Sequence, residues 1–327
     1  MITGTLAPGV VDVHAHWLPR DLFGLPGGPH GDMLDRDGEL YLGDIPLSIA
    51  TSSMSDVAAI RADMDRAEVG VRVLSAPPFA FPLESGADAD AYVGAFNTAL
   101  TEVVAGADGA LLGLGMVTLD DAASPTAQLE TLAQTEGIAG VAIPPLAGNR
   151  SLDGPALHHV LSEAARLNLA VLVHPMQLPR PEWAEYYLTN LIGNPVESAT
   201  AVASLILSGI KDALPGLRIC FVHGGGCAPG LLGRWTRGWT MRGDVRRATT
   251  RPPAEAFAEL YFDTVTHDPH QLKLLCELAG PDRVVCGSDY PFDMAEADPA
   301  RFALDHGPGR EALIRAATAY LGVPGKG

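Results

Sequence analysis

Basic residues are scarce in this chain. Its 327 residues include 22 lysines and arginines against 39 aspartates and glutamates, which gives a formal net charge of −17. A field of this sign repels polyanions, so neither nucleic acid nor an anionic membrane is expected as a partner. A small anionic substrate is still compatible, because a bound metal or a local basic cluster can reverse the sign within a pocket.

Cysteines and long apolar runs are also few. The four cysteines form no Cys-x-x-Cys pair, so we expect neither a disulfide framework nor a structural zinc knuckle. No stretch approaches the roughly 18 consecutive apolar residues of a membrane span, and no basic-then-apolar leader is present, so a cytoplasmic protein is expected. Hydrophobic residues make up 47% of the chain, which is enough for a large core and excludes wholesale disorder.

Short β-branched runs alternate with alanine-rich helical patterns about eight times along the chain. Near-continuous apolar runs of this kind are typical of parallel strands that are buried on both faces. Helical patterns are predicted over 55–67, 87–104, 153–167 and 197–209. The predicted strands begin at Val10, Val71, Leu111, Ile138, Leu169, Arg218, Leu260 and Arg283.

This alternation predicts an α/β fold, namely a (β/α)8 TIM barrel that forms one domain over 1–327. A doubly wound open sheet is the alternative, but no glycine-rich dinucleotide fingerprint follows any of the strands. The segment 17–53 is too long for an ordinary barrel loop. We interpret it as an irregular excursion after the first strand that forms a lid over the active face or shapes the substrate site.

Ionisable residues follow four of the predicted strands, where barrel enzymes assemble their active sites. His14 and His16 are two residues apart on the first strand, so both can face the barrel interior. His174, His223 and Asp289 end the fifth, sixth and eighth strands. Imidazoles and a carboxylate that converge in this way are suited to binding a divalent metal.

Each of these residues also has an ordinary structural explanation. A His-x-His pair occurs often by chance, and Asp289 could be a helix N-cap. Their joint position at one end of four strands favours a functional site. The fourth strand ends in Ala142-Ile143-Pro144-Pro145, without the lysine or glutamate that a two-metal barrel hydrolase uses there, so one metal is expected.

These residues and several longer runs resemble the amidohydrolase superfamily, and most closely its aminocarboxymuconate semialdehyde decarboxylase-like branch. The runs include SLILSG from Ser204, ICFVHGGG from Ile219 and LLGRW from Leu231. The metal-site residues that carry the resemblance are His14-x-His16, His174-Pro175, His223-Gly-Gly-Gly226 and Gly287-Ser-Asp289-Tyr-Pro-Phe292.

The resemblance implies one divalent metal, zinc with manganese as the alternative, and no organic cofactor. Its ligands would be His14, His16, His174 and Asp289. His223 would act as a general acid/base beside a metal-bound water. Arg234 would reach the carboxylate of a small-molecule substrate from the neighbouring subunit of a homodimer. The same branch has a second carboxylate-binding arginine in the excursion after strand one, and the matching stretch 43–48 has none.

Four aromatic residues are further candidates for the substrate pocket. Each of them could instead pack in the core or the lid. They are Trp17, Phe79, Trp183 and Phe292.

The function predicted from the resemblance is non-oxidative, metal-dependent decarboxylation of a small unsaturated or aromatic carboxylic acid. Either His223 or Asp289 would deliver the proton to carbon, and the sequence leaves both routes open. The leading alternative is a metal-dependent hydrolase of an amide, lactone or C–C bond on the same site. A third alternative is a barrel that only binds and has no activity.

Overall fold

A parallel sheet of eight strands forms the centre of the computed structural model, which describes residues 9–26, 28, 33–82, 85–119 and 123–323. Within these residues the strands are β1 (Val10–His16), β2 (Met33–Arg36), β3 (Glu39–Leu42), β4 (Ile45–Ala50), β5 (Val69–Ser75), β6 (Leu111–Gly115), β7 (Ile138–Ile143), β8 (Ala170–Val173), β9 (Arg218–Phe221), β10 (Tyr261–Asp263) and β11 (Val284–Val285).

The sheet runs in the order β1-β5-β6-β7-β8-β9-β10-β11, and its ends meet. The amide of Val13 donates to Cys286 O at 2.9 Å, and that of His16 donates to Tyr290 O at 2.7 Å. These bonds join β1 to β11 and the residues after it, so the sheet closes on itself. The predicted (β/α)8 barrel is confirmed.

Helices separate the strands of the eight-stranded sheet. They are α1 (Thr51–Ser55), α2 (Val57–Arg66), α3 (Ala87–Ala105), α4 (Ala123–Gln134), α5 (Pro155–Arg166), α6 (Asn194–Leu207), α7 (Ile210–Ala213), α8 (Ala228–Met241), α9 (Pro253–Phe257), α10 (Pro269–Ala279), α11 (Pro299–His306) and α12 (Arg310–Leu321). No helix in these described stretches is long and apolar enough to cross a membrane.

Two predicted helices differ from the structure more than the others. The predicted helix over 55–67 is two helices, because Asp56 takes an extended backbone (φ −97°, ψ 118°) that separates α1 from α2. The helix predicted from Glu197 begins three residues earlier at Asn194, directly after a π-helical turn over Thr189–Gly193.

The sequence predicts an irregular excursion after β1, and this prediction is wrong. The excursion contains a three-stranded antiparallel sheet, β2-β3-β4, whose Met33, Leu40 and Ile49 are buried in the main apolar cluster. The turn between β2 and β3 is Asp37-Gly38, and both residues have positive φ (54° and 88°). Asp-Gly is a strong hairpin signal, because it tolerates this backbone conformation.

A buried ion pair connects β1, β5 and the segment after β11. The Arg72 Nε donates to Asp12 Oδ2 at 2.9 Å, and both side chains are fully buried. Asp12 in turn accepts from the Ser288 amide at 3.0 Å and from the Ser288 hydroxyl at 2.7 Å. The guanidinium also lies over the Tyr290 ring, 4.6 Å from its centroid. The pair therefore fixes the segment that carries Asp289.

Replacing Arg72 with methionine leaves the Asp12 carboxylate buried without its cation. We expect R72M to lower the free energy of unfolding by about 3–5 kcal/mol, the usual cost of removing one partner of a buried pair. Chemical denaturation followed by circular dichroism measures it.

The matched control is Arg166→Met. Arg166 bridges Glu130 and Glu163 on the exposed surface, where ion pairs contribute little. Equal losses in R72M and R166M would contradict the structural role assigned to the buried pair.

Candidate active site

Five ionisable side chains meet at the carboxyl end of the barrel. His14 and His16 lie on β1, and His174, His223 and Asp289 follow β8, β9 and β11. The ligand atoms of His14, His16, His174 and Asp289 all lie within 4.8 Å of one another. The structure thus brings together the residues that the sequence pattern singled out.

The geometry of this cluster fits a single divalent cation. The Asp289 Oδ1 lies 3.1 Å from the Nε2 of both His14 and His16, and 3.7 Å from that of His174. Tetrahedral donors at zinc distances are separated by about 3.3 Å. The Nε2 atoms of His14 and His174 are buried, and neither makes a well-formed hydrogen bond. Buried, unsatisfied nitrogens that face a carboxylate are what a metal would satisfy.

The opposite ring nitrogens are held by the surrounding protein. The Nδ1 of His14 is 2.6 Å from Asp263 Oδ2, that of His16 is 3.1 Å from Ala76 O, and that of His174 is 2.7 Å from Pro175 O. These contacts fix each ring so that its Nε2 faces the centre of the cluster. Outer contacts of this kind are usual for histidines that bind metal.

The charges in the cluster are strongly coupled. Burial lowers the pKa of His174 to about 3, although the Asp289 carboxylate lies 3.7 Å from its Nε2. Burial also favours a lower pKa for His14, but the Asp289 charge and the Asp263 hydrogen bond outweigh it and raise that pKa to about 10. Burial opposes ionisation of Asp289, yet the charge on His14 and the close histidine Nε2 atoms hold its pKa well below the usual range. The metal-free cluster therefore contains the Asp289 carboxylate, a protonated His14, and neutral imidazoles at His16 and His174.

Asp263, at the end of β10, was missed in the sequence. It is fully buried; its Oδ2 faces His14, and its Oδ1 accepts the Gly224 amide at 2.8 Å. It therefore links a histidine of the cluster to the loop that carries His223. The available signal was a lone carboxylate in the apolar run from Leu260 to Val265, at the carboxyl end of a strand.

His223 stands beside the cluster on a tightly wound loop. Its own φ is 55°, and the three glycines that follow also have positive φ. A Cβ on Gly226 would lie 2.3 Å from Pro195 O, so only glycine fits there. The His223 Nε2 lies 3.2 Å from Asp289 Oδ2, and its Nδ1 is buried without a hydrogen-bond partner. Asp289 therefore contacts the three clustered histidines through one oxygen and His223 through the other.

Two cavities border Asp289. The larger, of about 240 Å³, lies on the His223 side; the smaller, of about 20 Å³, lies on the His174 side. Asn190, Asn194 and Met294 line both. Among the described residues, no lysine or arginine lines either cavity. Arg36 instead pairs with Asp44 on the small sheet, and no described residue of the excursion lines these cavities.

The four aromatic candidates occupy different places. Phe292 lines the smaller cavity, with its ring 5.1 Å from that of His16, and Phe79 packs edge-on against it at 6.2 Å. Trp17 is only 3% exposed and packs 6.0 Å from Phe96 in the core. Trp183 lies under the Arg180 guanidinium at 4.8 Å. Phe292 is thus the one aromatic candidate that borders a described cavity.

Arg234 lies on the exposed side of α8 and lines neither cavity of its own chain. The structure therefore does not bring Arg234 to the site within one chain, and its contact with a substrate carboxylate remains a prediction.

Comparisons with known proteins agree with this architecture. The 2-amino-3-carboxymuconate-6-semialdehyde decarboxylase of Dictyostelium discoideum is 31% identical over 246 residues, which cover 73% of this chain and 67% of that protein.

Two solved structures share the fold. The 5-carboxyvanillate decarboxylase of Sphingomonas paucimobilis superposes with a TM-score of 0.81 at 22% identity, covering 97% of this chain and 99% of that one. The same enzyme from Novosphingobium aromaticivorans, complexed with manganese and 4-hydroxy-3-methoxy-5-nitrobenzoic acid, has a TM-score of 0.79 at 18% identity, with 98% and 97% covered. The amidohydrolase family model matches residues 11–318, and the chain belongs to the amidohydrolase family.

Proposed function

We propose that this chain is a metal-dependent carboxy-lyase that removes CO₂, without oxidation, from a small unsaturated or aromatic carboxylic acid. The observation that carries the proposal is the cluster of three imidazoles and Asp289, with His223 held 3.2 Å from the same carboxylate. The relative and the two solved structures described above are decarboxylases by name, which favours this reaction over hydrolysis.

One divalent cation is assigned to His14, His16, His174 and Asp289. We propose zinc, with manganese as the alternative because the Novosphingobium aromaticivorans structure contains it. When bound, the cation supplies a fixed positive charge that orients and polarises the oxygens of the acid. The cavities support this assignment, because their described walls offer an anion no lysine or arginine.

His223 is the proposed proton donor to the carbon that carries the carboxyl group. An electron pair of the unsaturated system forms the new C–H bond. The pair of the breaking carbon–carboxyl bond then restores that system as CO₂ leaves. Positioned acid/base groups of this kind contribute about 10²–10⁴-fold to a rate.

Asp289 is the alternative donor, and its contacts make it the weaker one. Its Oδ1 faces the clustered histidines and its Oδ2 faces His223. The same contacts hold its pKa well below the usual range, so it is a carboxylate that carries no proton to give. We assign it the roles of metal ligand and partner of His223.

The substrate carboxylate gains a second cation if the protein is a homodimer. In this arrangement Arg234 of the partner subunit would reach the cavity, as the resemblance to the decarboxylase branch implies. We also propose that residues 1–327 form one catalytic domain.

Metal binding should be stoichiometric and should depend on the cluster. We expect metal-free wild-type protein to bind one equivalent of zinc or manganese, and His174→Asn to bind at least about tenfold more weakly, because loss of a buried ligand removes one coordinate bond. Competition with a chelating dye measures both affinities.

The control is His158→Asn, on the exposed side of α5. Wild-type stoichiometry in the H174N variant, with unchanged affinity, would rule out this ligand set.

The raised pKa of His14 makes metal binding pH-dependent. In the metal-free protein His14 holds an extra proton below a pH of about 10, and that proton must leave its Nε2 before a cation binds. We therefore expect the apparent affinity to rise by about tenfold per pH unit between pH 6.5 and 8.5. Calorimetry in two buffers of different ionisation enthalpy measures the released proton. An affinity that is flat across this range would contradict the assignment.

Replacing His223 separates proton transfer from metal binding. We expect His223→Asn to lower kcat by about 10²–10⁴-fold while the bound metal remains at one equivalent, because His223 is outside the ligand set. The measurement is CO₂ release from a panel of aromatic and muconate-type acids, with His158→Asn as the matched control. Full activity in H223N would eliminate His223 as the donor.

A further inference from the structure

Asn194 has an unsatisfied amide in the wall of the active-site cavities. The residue is 6% exposed, and its Oδ1 is buried without a hydrogen-bond partner. It lines both the cavity beside His223 and the cavity beside His174. A buried polar atom without a partner is uncommon in a folded protein, and a ligand atom is one way to satisfy it.

The backbone around Asn194 is held in place on both sides. The π-helical turn over Thr189–Gly193 ends immediately before it, and such turns occur frequently at functional sites. A Cβ on Gly193 would lie 3.3 Å from the Trp183 ring. On the other side, Pro195 O accepts the Cys227 amide at 3.2 Å. The amide of Asn194 is therefore presented from a fixed position.

The surroundings of Asn194 define the group that it would recognise. Leu191, Pro195, Val265 and Met294 give the larger cavity an apolar wall. At the Oδ1 itself a carboxylate would meet a second acceptor, and no lysine or arginine is among the described lining residues to offset the repulsion. A neutral hydroxyl fits, because it can donate to this oxygen. The cavity of about 240 Å³ has room for a single ring that carries such a group.

We propose that Asn194 is a specificity-determining residue that selects acids with a ring hydroxyl, through a hydrogen bond from that hydroxyl to its Oδ1. This inference rests on the proposed function. It adds a requirement that the metal ligands and His223 do not impose, since they act on the carboxyl group and the carbon to which it is attached.

The substrate preference of Asn194→Leu tests the proposal. Leucine has a similar volume but cannot accept a hydrogen bond. Decarboxylation rates are measured for hydroxybenzoic and dihydroxybenzoic acids, each paired with the acid in which one hydroxyl is replaced by hydrogen or methoxy. For the hydroxyl that donates to Asn194, we expect N194L to lower kcat/KM on the hydroxylated acid by about tenfold or more. On the hydrogen or methoxy analogue of that acid, we expect little change.

A merely structural role would affect both acids of every pair equally, and that result would overturn the proposal. Thr200→Val is the matched control, because Thr200 lies on the exposed side of the same helix. It should leave every ratio unchanged. A wild-type preference for methoxy over hydroxyl would also overturn the proposal, because a methoxy group cannot donate.

Binding measurements separate this inference from the proposed function. Calorimetry of the same acid pairs with metal-loaded protein requires no turnover. If wild type decarboxylates none of the acids but binds a hydroxylated acid about tenfold more tightly than its partner, and N194L does not, the reaction is wrong and the role of Asn194 stands. If wild type and N194L show the same binding preferences, Asn194 does not select the hydroxyl.

Discussion

The carboxylate of Asp289 is the contact on which the whole site depends. One of its oxygens faces three histidines from β1 and the end of β8, and the other faces His223. It is placed there by a backbone with φ 63° and by the adjacent Ser288, which donates hydrogen bonds to Asp12; Asp12 is in turn paired with Arg72. The barrel also closes beside this carboxylate, because the Asp289 amide donates to His14 O at 2.8 Å. Fold stability and site geometry are therefore set by one group of contacts.

Asp263 extends this coupling to His223. One of its oxygens contacts the Nδ1 of His14, and the other accepts a hydrogen bond from the Gly224 amide. The same buried carboxylate therefore positions both His14 and the loop that carries His223. The negative charges of Asp263 and Asp289 also explain why this acidic chain can hold a cation at its barrel mouth. In the proposed reaction that cation would hold the acidic substrate, because the described cavity walls contain no lysine or arginine.

The parts of this structure that repeat along the chain were predictable from the sequence, and those that depend on long-range contacts were not. The apolar strand patterns predicted the barrel. The polar residues at the ends of those strands predicted the site residues His14, His16, His174, His223 and Asp289. The roles of Asp263 and Arg72 depend on partners far away in sequence, such as His14 and Asp12, which no local pattern identifies. Asn194 was missed because it precedes the helix predicted from residue 197, and the π-helical turn before α6 has no simple periodicity. The small sheet was missed although its Asp37-Gly38 turn was visible.

Isotope analysis of a single turnover tests the central claim most directly. Metal-loaded protein is incubated in D₂O with an aromatic or muconate-type acid that carries ¹³C in its carboxyl group, and the products are followed by mass spectrometry. The account predicts ¹³CO₂ together with a product that has gained one deuterium at the carbon that lost the carboxyl group. It also predicts that Asp289→Asn gives neither product. Retention of the ¹³C with addition of the elements of water would show hydrolysis or hydration instead and would contradict the account.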